Sequence, residues 1–324
     1  MVSRRTFLAS AAAVAFTNQA LAFAEKAMST SGYGYVGAAD DEEFWAQIQE
    51  GFTLDRTIVN FNNGGVSPSP RIVQDALRRY LEYSNQAPSY VMWRNLEPEV
   101  EHVRTRLARM FGCDREEVAI TRNASEALEI CLNGFDLKPG DEILTTDQDY
   151  PRMITTIQQR ERREGVKMVQ VKVPAAPKTK KEIVDAFAGG ITAKTKLMLV
   201  SQVVFMTGQI NPVHEVVALG RQHGIPVIVD GAHAFAQFPI AHKDLDCDYY
   251  GTSLHKWLMA PIGTGMLYVR KAKIEGLWPL MAAGEAQTAA TMSAMGGHKE
   301  HVIAAKALNV YGKRVRANRR RLSR

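Results

Sequence analysis

The chain has 324 residues, 46% hydrophobic and 23% charged, which excludes a fibrous or disordered protein and fits one large domain plus a smaller part. The net charge is +6, but Lys313, Arg314, Arg316, Arg319, Arg320, Arg321 and Arg324 crowd the last twelve residues, so the body is close to neutral. That tail reads as a solvated helix end or a contact for an anionic surface, and no other basic patch with interleaved aromatics speaks for nucleic-acid binding.

Ser3-Arg4-Arg5-Thr6-Phe7-Leu8, a short apolar run to Phe16 and the Ala20-Leu21-Ala22 site have the form of a twin-arginine signal peptide over 1–22. An ordinary secretory signal with a chance arginine pair is the other reading. Either implies a periplasmic product, and the run is too short for a stable membrane anchor. Residues 23–57 read as a leader rich in small residues followed by a helix, with Phe44, Ile48 and Phe52 spaced four apart. Asn60 to Pro70 is a loop dense in Asn, Gly and Pro. Helices are predicted near Arg71–Tyr83 and Pro98–Phe111.

From residue 118 strands and helices alternate. Strands are predicted over Val118–Thr121, Glu142–Thr146, Lys167–Val173, Leu197–Val203, Pro226–Asp230 and Gly263–Val269. Helices are predicted over Ser125–Leu132, Arg152–Glu164 and His214–His223. Near-continuous apolar strands between helices indicate an α/β fold with a mostly parallel central sheet and helices on both faces. Cys113, Cys131 and Cys247 show neither a disulfide framework nor a metal pattern, so no metal is expected.

In such sheets ligands gather where strands run into helices. Four segments fall there. Thr121 to Glu126 offers small and hydroxyl residues at a helix start, suited to a phosphate or to a plain N-cap by Asn123 or Ser125. Asp149-Tyr150-Pro151 follows a strand and could present its ring to a flat ligand or pack it at a helix start. Asp230 closes an apolar strand, where a carboxylate is a ligand contact, a cap or a metal ligand; His233 follows it. Ser253-Leu254-His255-Lys256-Trp257 sets a lysine among apolar neighbours, where desolvation favours the free amine, or else in a surface turn.

The segments NFNNGGVSPSP, TRNASEALE, DQDYPR, VFMTGQINP, VIVDGAHA and TSLHKW, in that order over roughly 58–270, resemble the class V aminotransferase-fold proteins, in particular the isopenicillin N epimerase-like group. The resemblance implies the type I fold of transferases that depend on pyridoxal 5'-phosphate (PLP), with a large cofactor domain over 58–270. It implies a Schiff base on Lys256 and a partnership of Asp230 with the pyridine nitrogen. It places His233 at the phenolic oxygen and Tyr150 on the ring. Ala124, Ser125, Ser253 and His255 fall at phosphate contacts, and Asn63 and Gly64 at the border of the substrate pocket. A homodimer is implied as well.

The chain departs from the pattern after Lys273. Residues 271–324 read as a reduced C-terminal domain with a basic tail. Met295-Gly296-Gly297-His298 stands where relatives carry a Gly-Thr loop, and no arginine can be assigned to a substrate carboxylate. No cysteine after Cys247 offers a desulfurase-type nucleophile. The expected activity is chemistry at the Cα of an amino acid or peptide-like amine by an aminotransferase, epimerase or lyase. A catalytically weakened PLP-binding protein acting through binding or assembly is the alternative.

Overall fold

The computed structural model describes residues 41–280; the signal segment, the leader up to residue 40, Met295–His298 and the basic tail lie outside the described residues. Seven strands form one sheet: β1 (Val118–Thr121), β2 (Glu142–Thr146), β3 (Lys167–Val171), β4 (Thr195–Ser201), β5 (Val227–Asp230), β6 (Tyr249–Ser253) and β7 (Gly265–Val269). Their order is β1-β7-β6-β5-β4-β2-β3. Only β7 runs against the others, pairing antiparallel with β1 and β6, while β6-β5-β4-β2-β3 are parallel. The α/β, mostly parallel expectation holds.

Both faces of the sheet are covered, which is why its central strands β4 and β5 carry near-continuous apolar runs. In β4, Met198 and Val200 join a core with the helices Glu97–Phe111, Lys180–Gly190 and Val213–Gln222. Leu197 and Leu199 point to the other face, against the helices Ala124–Gly134 and Pro151–Glu164. β5 splits the same way, with Val227 and Val229 to one side and Ile228 to the other. The parallel run of β2, β4, β5 and β6 then brings their carboxyl ends to one edge of the layer.

The predicted elements match to within a few residues, with three differences. The strand at 195 stops at Ser201; Val203 makes only an isolated bridge to Ile210. The helix Lys180–Gly190 has no clear sequence signal, because its apolar positions, Ile183 and Phe187, are few among lysines and small residues. A π-helix over Val91–Leu96 leads into Glu97–Phe111 with no break between them. The helix Glu42–Glu50, capped by Asp41 at 2.9 Å from the Phe44 N–H, buries no side chain among the described residues.

Gly231, just after β5, sits against the ring of Tyr250 on β6: a Cβ there would lie 1.9 Å from Tyr250 Cζ. The turn that leaves Asp230 therefore needs a residue without a side chain. Gly231→Ala is expected to destabilise the protein by about 1–3 kcal/mol through overpacking, read as a lower urea midpoint at unchanged slope. An unaltered midpoint would show that the Tyr250 ring gives way freely.

Candidate active site

The strand ends gather the predicted residues along one edge. At the end of β1, Asn123 caps the helix Ala124–Gly134, its Oδ1 accepting the Glu126 N–H at 2.8 Å. The Ala124 N–H donates to Ser253 Oγ at 2.9 Å, tying this loop to the end of β6. The Ser125 N–H, in the first turn, has no intrahelical acceptor and faces out of the positive end of the helix. β7 presses close here: a Cβ on Gly265 would lie 2.6 Å from the backbone of Asn123, so only glycine fits. His255 sets Nδ1 3.2 Å from the Thr264 carbonyl; burial lowers its pKa, and the contact with Thr264 works the other way.

Asp230 is the last residue of β5 and is buried. Its Oδ1 accepts the Ala232 N–H at 2.9 Å, and Oδ2 has no hydrogen-bond partner among the described residues. Desolvation raises its pKa to about 6, with the Ala232 N–H and the Lys256 ammonium acting in the opposite sense.

Lys256 lies in the loop after β6, its Nζ 3.0 Å from His233 Nε2 and 5.9 Å from the centroid of the Tyr150 ring. Burial lowers the pKa of the amine, and Asp230 works against that shift. Burial and then the charge of Lys256 press His233 down to about 4, so its ring is neutral and accepts from the lysine. The loop closes through Met259, whose N–H donates to the Lys256 carbonyl at 3.0 Å from a left-handed φ of 56°.

Tyr150 is 42% exposed and leans edge-on against Phe205, centroids 5.4 Å apart, which leaves one face of its ring open. The Asn60–Pro70 loop forms the opposite wall. The Ser67 N–H donates to the His255 carbonyl at 3.0 Å, and Ser67 Oγ to the Asn63 carbonyl at 2.9 Å. A Cβ on Gly64 would sit 3.2 Å from both His233 and Trp257. The structure thus brings Ala124, Ser125, Ser253 and His255 to one end of the site, Asp230, His233, Lys256 and Tyr150 to its middle, and Asn63 and Gly64 to its rim.

Three residues escape a reading of the sequence alone. Gln202 is buried, its N–H donating to the Asp230 carbonyl at 2.8 Å and its Oε1 accepting the Tyr250 hydroxyl at 3.2 Å. Running the strand on to Val203 hides it; ending that strand at Ser201 puts Gln202 at a strand end like the other site residues. Asp149 is overshadowed in sequence by its neighbour Tyr150. Trp257, beside Lys256, has a buried Nε1 without a partner among the described residues. No group of side chains among those residues could hold a metal ion.

The aminotransferase class-V family model matches residues 58–302. The chain belongs to the class V aminotransferase family. It is 31% identical to an isopenicillin N epimerase of Streptomyces clavuligerus over 235 residues, covering 72% of this chain and 59% of that protein. It is 32% identical to the isopenicillin N epimerase of Amycolatopsis lactamdurans over 227 residues, 69% and 57% of the two chains. Similarity extends to a probable cysteine desulfurase of Synechocystis, 28% over 237 residues, 70% and 55% of the two chains. The chain thus spans less than three fifths of the length of these curated relatives. Among solved structures, a complex of the cystine C-S lyase C-DES with cysteine persulfide superposes with a TM-score of 0.68 at 26% identity, over 78% of this chain and 71% of that one.

The cofactor of this family of enzymes is PLP, and the donor set fits it. Asp230 Oδ2, unpartnered among the described residues, would accept a hydrogen bond from the protonated nitrogen of a pyridine ring. The Ser125 N–H and the Ser253 hydroxyl would donate to a phosphate, with His255 beside them. A partly desolvated lysine lies between the two.

The lowered pKa of Lys256 has a measurable consequence. In cofactor-free protein its modification by trinitrobenzenesulfonate should rise at lower pH than that of the exposed Lys180 and Lys181, because only the free amine reacts. Peptide mapping across a pH series reads both. A midpoint for Lys256 at or above theirs would mean that burial does not govern the amine.

Proposed function

We propose that this protein uses PLP held on Lys256 to carry out chemistry at the Cα of an amino acid or a peptide-like amine, as an aminotransferase or epimerase-type enzyme. The observation that carries the reading is the placement of Lys256 and Asp230 at the ends of neighbouring strands, with Lys256 Nζ on the neutral His233 ring at 3.0 Å. The relatives, an epimerase and desulfurases by name, support amino-acid-like substrates.

Bound PLP draws electrons from the substrate Cα into its ring. Asp230 holds a proton on the ring nitrogen, so its burial without a second partner among the described residues serves charge pairing. Lys256 Nζ would take the Cα proton once a substrate amine has displaced it, and burial, which lowers its pKa, favours the free amine that this step needs. His233 accepts from Lys256 and steers the amine toward the reacting carbon. Tyr150 and the Gly64 loop wall the site and limit water. A second acid on the opposite face of Cα, distinct from Lys256, would give epimerisation, delivery of the proton to the cofactor would give transamination, and departure of a β-substituent would give a lyase.

The site's rim also favours a homodimer: Ile58, Val59 and Phe61 precede the Asn63-Gly64 turn, and Phe61 is 94% exposed, an arrangement that a second subunit would cover.

Borohydride reduction followed by peptide mapping tests the assignment of Lys256. Wild type should carry the reduced adduct on Lys256, and Lys256→Ala should carry none. Asp230→Asn should retain PLP while Cα–deuterium exchange in D2O across an amino-acid panel falls about a hundredfold or more. An adduct on another lysine would overturn the role of Lys256, and full exchange in Asp230→Asn that of Asp230.

We further propose export by the twin-arginine route, supported by Arg4, Arg5 and the Ala20-Leu21-Ala22 site. Arg4→Lys with Arg5→Lys keeps the charge and should strand the folded protein in the cytoplasm on cell fractionation. Undiminished mature protein in the periplasm would instead indicate the general secretory route.

A further inference from the structure

Asp149 lies close to Asp230 across the sheet and is among the most densely bonded carboxylates of the described residues. It is buried at the turn between β2 and the helix Pro151–Glu164. Its Oδ2 accepts from Thr145 Oγ1 at 2.7 Å and from the Thr146 N–H and Oγ1, both at 2.8 Å. Its Oδ1 accepts from the Ser201 N–H at 2.9 Å and from Ser201 Oγ at 2.7 Å. One backbone N–H aims at each oxygen, the arrangement that suits an anion. Ser201 is in turn the register partner of Asp230 on β5, so Asp149, Ser201 and Asp230 stand at the ends of three successive strands of the sheet. Tyr150 follows Asp149 directly and begins the next helix, its carbonyl accepting from the Met153 N–H at 2.9 Å.

We infer that Asp149 is a positioning residue of this site: its carboxylate locks the Tyr150 turn to the end of β4, holding the ring near Lys256, and stands as a second negative charge beside Asp230. The inference rests on the roles proposed for Asp230 and Lys256. Two buried carboxylates at neighbouring strand ends repel, and the repulsion is relieved when one of them takes up a proton. Asp149 is satisfied by five donors, whereas Asp230 has a single N–H and a free oxygen among the described residues, so Asp230 takes up a proton when the site is empty and would accept a hydrogen bond from a protonated ring nitrogen when it is filled. The direction of the Asp230 shift agrees, since Asp149 adds to the effect of burial. The other groups facing Asp230 are Lys256, which favours its anion, and Tyr250, a buried phenol held neutral by desolvation.

The test is titration of the aspartate carboxyl carbons by NMR in cofactor-free protein labelled with 13C-aspartate, with Asp230→Asn identifying the Asp230 signal. Asp149→Asn keeps the shape and removes the charge; it should move the Asp230 midpoint down by about half a pH unit or more. Asp149→Glu restores the charge and should restore the midpoint. An Asp230 midpoint unmoved in Asp149→Asn would overturn the inference. An amide cannot serve both backbone N–H groups, so this variant can lose its fold, and the wild-type titration then decides. Asp230 must then titrate above the usual aspartate range; a midpoint at or below that range overturns the proposal. Neither readout uses PLP, so a borohydride adduct on a different lysine would sink the role of Lys256 while leaving the Asp149–Asp230 titration to stand or fall alone.

Discussion

A carboxylate is costly to bury, and Asp230 is buried at the end of a strand whose other residues are all apolar. One N–H from Ala232 and the charge of Lys256 are its compensation among the described residues, and its proton affinity is raised accordingly. The rest of the site follows from that deficit. Lys256 sits within reach of the charge, His233 is kept neutral by burial and by Lys256, and Gln202 and Tyr250 tie the backbone around Asp230 to the two neighbouring strands. Under the proposed function, a pyridinium nitrogen would supply the missing partner.

The sheet's one reversed strand matters to the same end. β7 lies between β1 and β6 and brings Gly265 against Asn123, while Ser253, at the end of β6, receives the Ala124 N–H. The turn that starts the helix Ala124–Gly134 is therefore fixed from two sides, by a close backbone approach and by a hydroxyl from a strand distant in sequence. A helix N-terminus standing free would leave its first N–H groups to water; here one holds the turn and the next is left for a ligand.

The architecture is legible in the sequence because burial on both faces forces apolar runs, and such runs are visible at β4 and β5. Asp230 ends a strand and Tyr150, His233 and Lys256 follow one, but their roles are legible only through the resemblance of the whole ordered set of segments to the family. What stays hidden depends on partners far apart in the chain. The five bonds of Asp149 come from its own turn and from Ser201, 52 residues on. Gln202 is concealed by a strand boundary displaced by two residues, enough to move it from a strand end into a strand interior. The helix Lys180–Gly190 buries only Ile183, Phe187 and Gly190, too sparse a stripe to register as a period.

The N-terminal loop adds a constraint that neither the sheet nor the cofactor chemistry requires. Gly64 lies against His233 and Trp257, and the Ser67 N–H holds the His255 carbonyl. The same backbone thus touches both flanks of Lys256. Movement of this loop would free His233 from its packing and open the buried Trp257 N–H, unpartnered among the described residues. The loop and the lysine's hydrogen-bond partner are consequently one packed unit. A side chain larger than glycine at 64 would press on His233 and Trp257, so under the proposed function a change in this wall of the site would also disturb the orientation of Lys256.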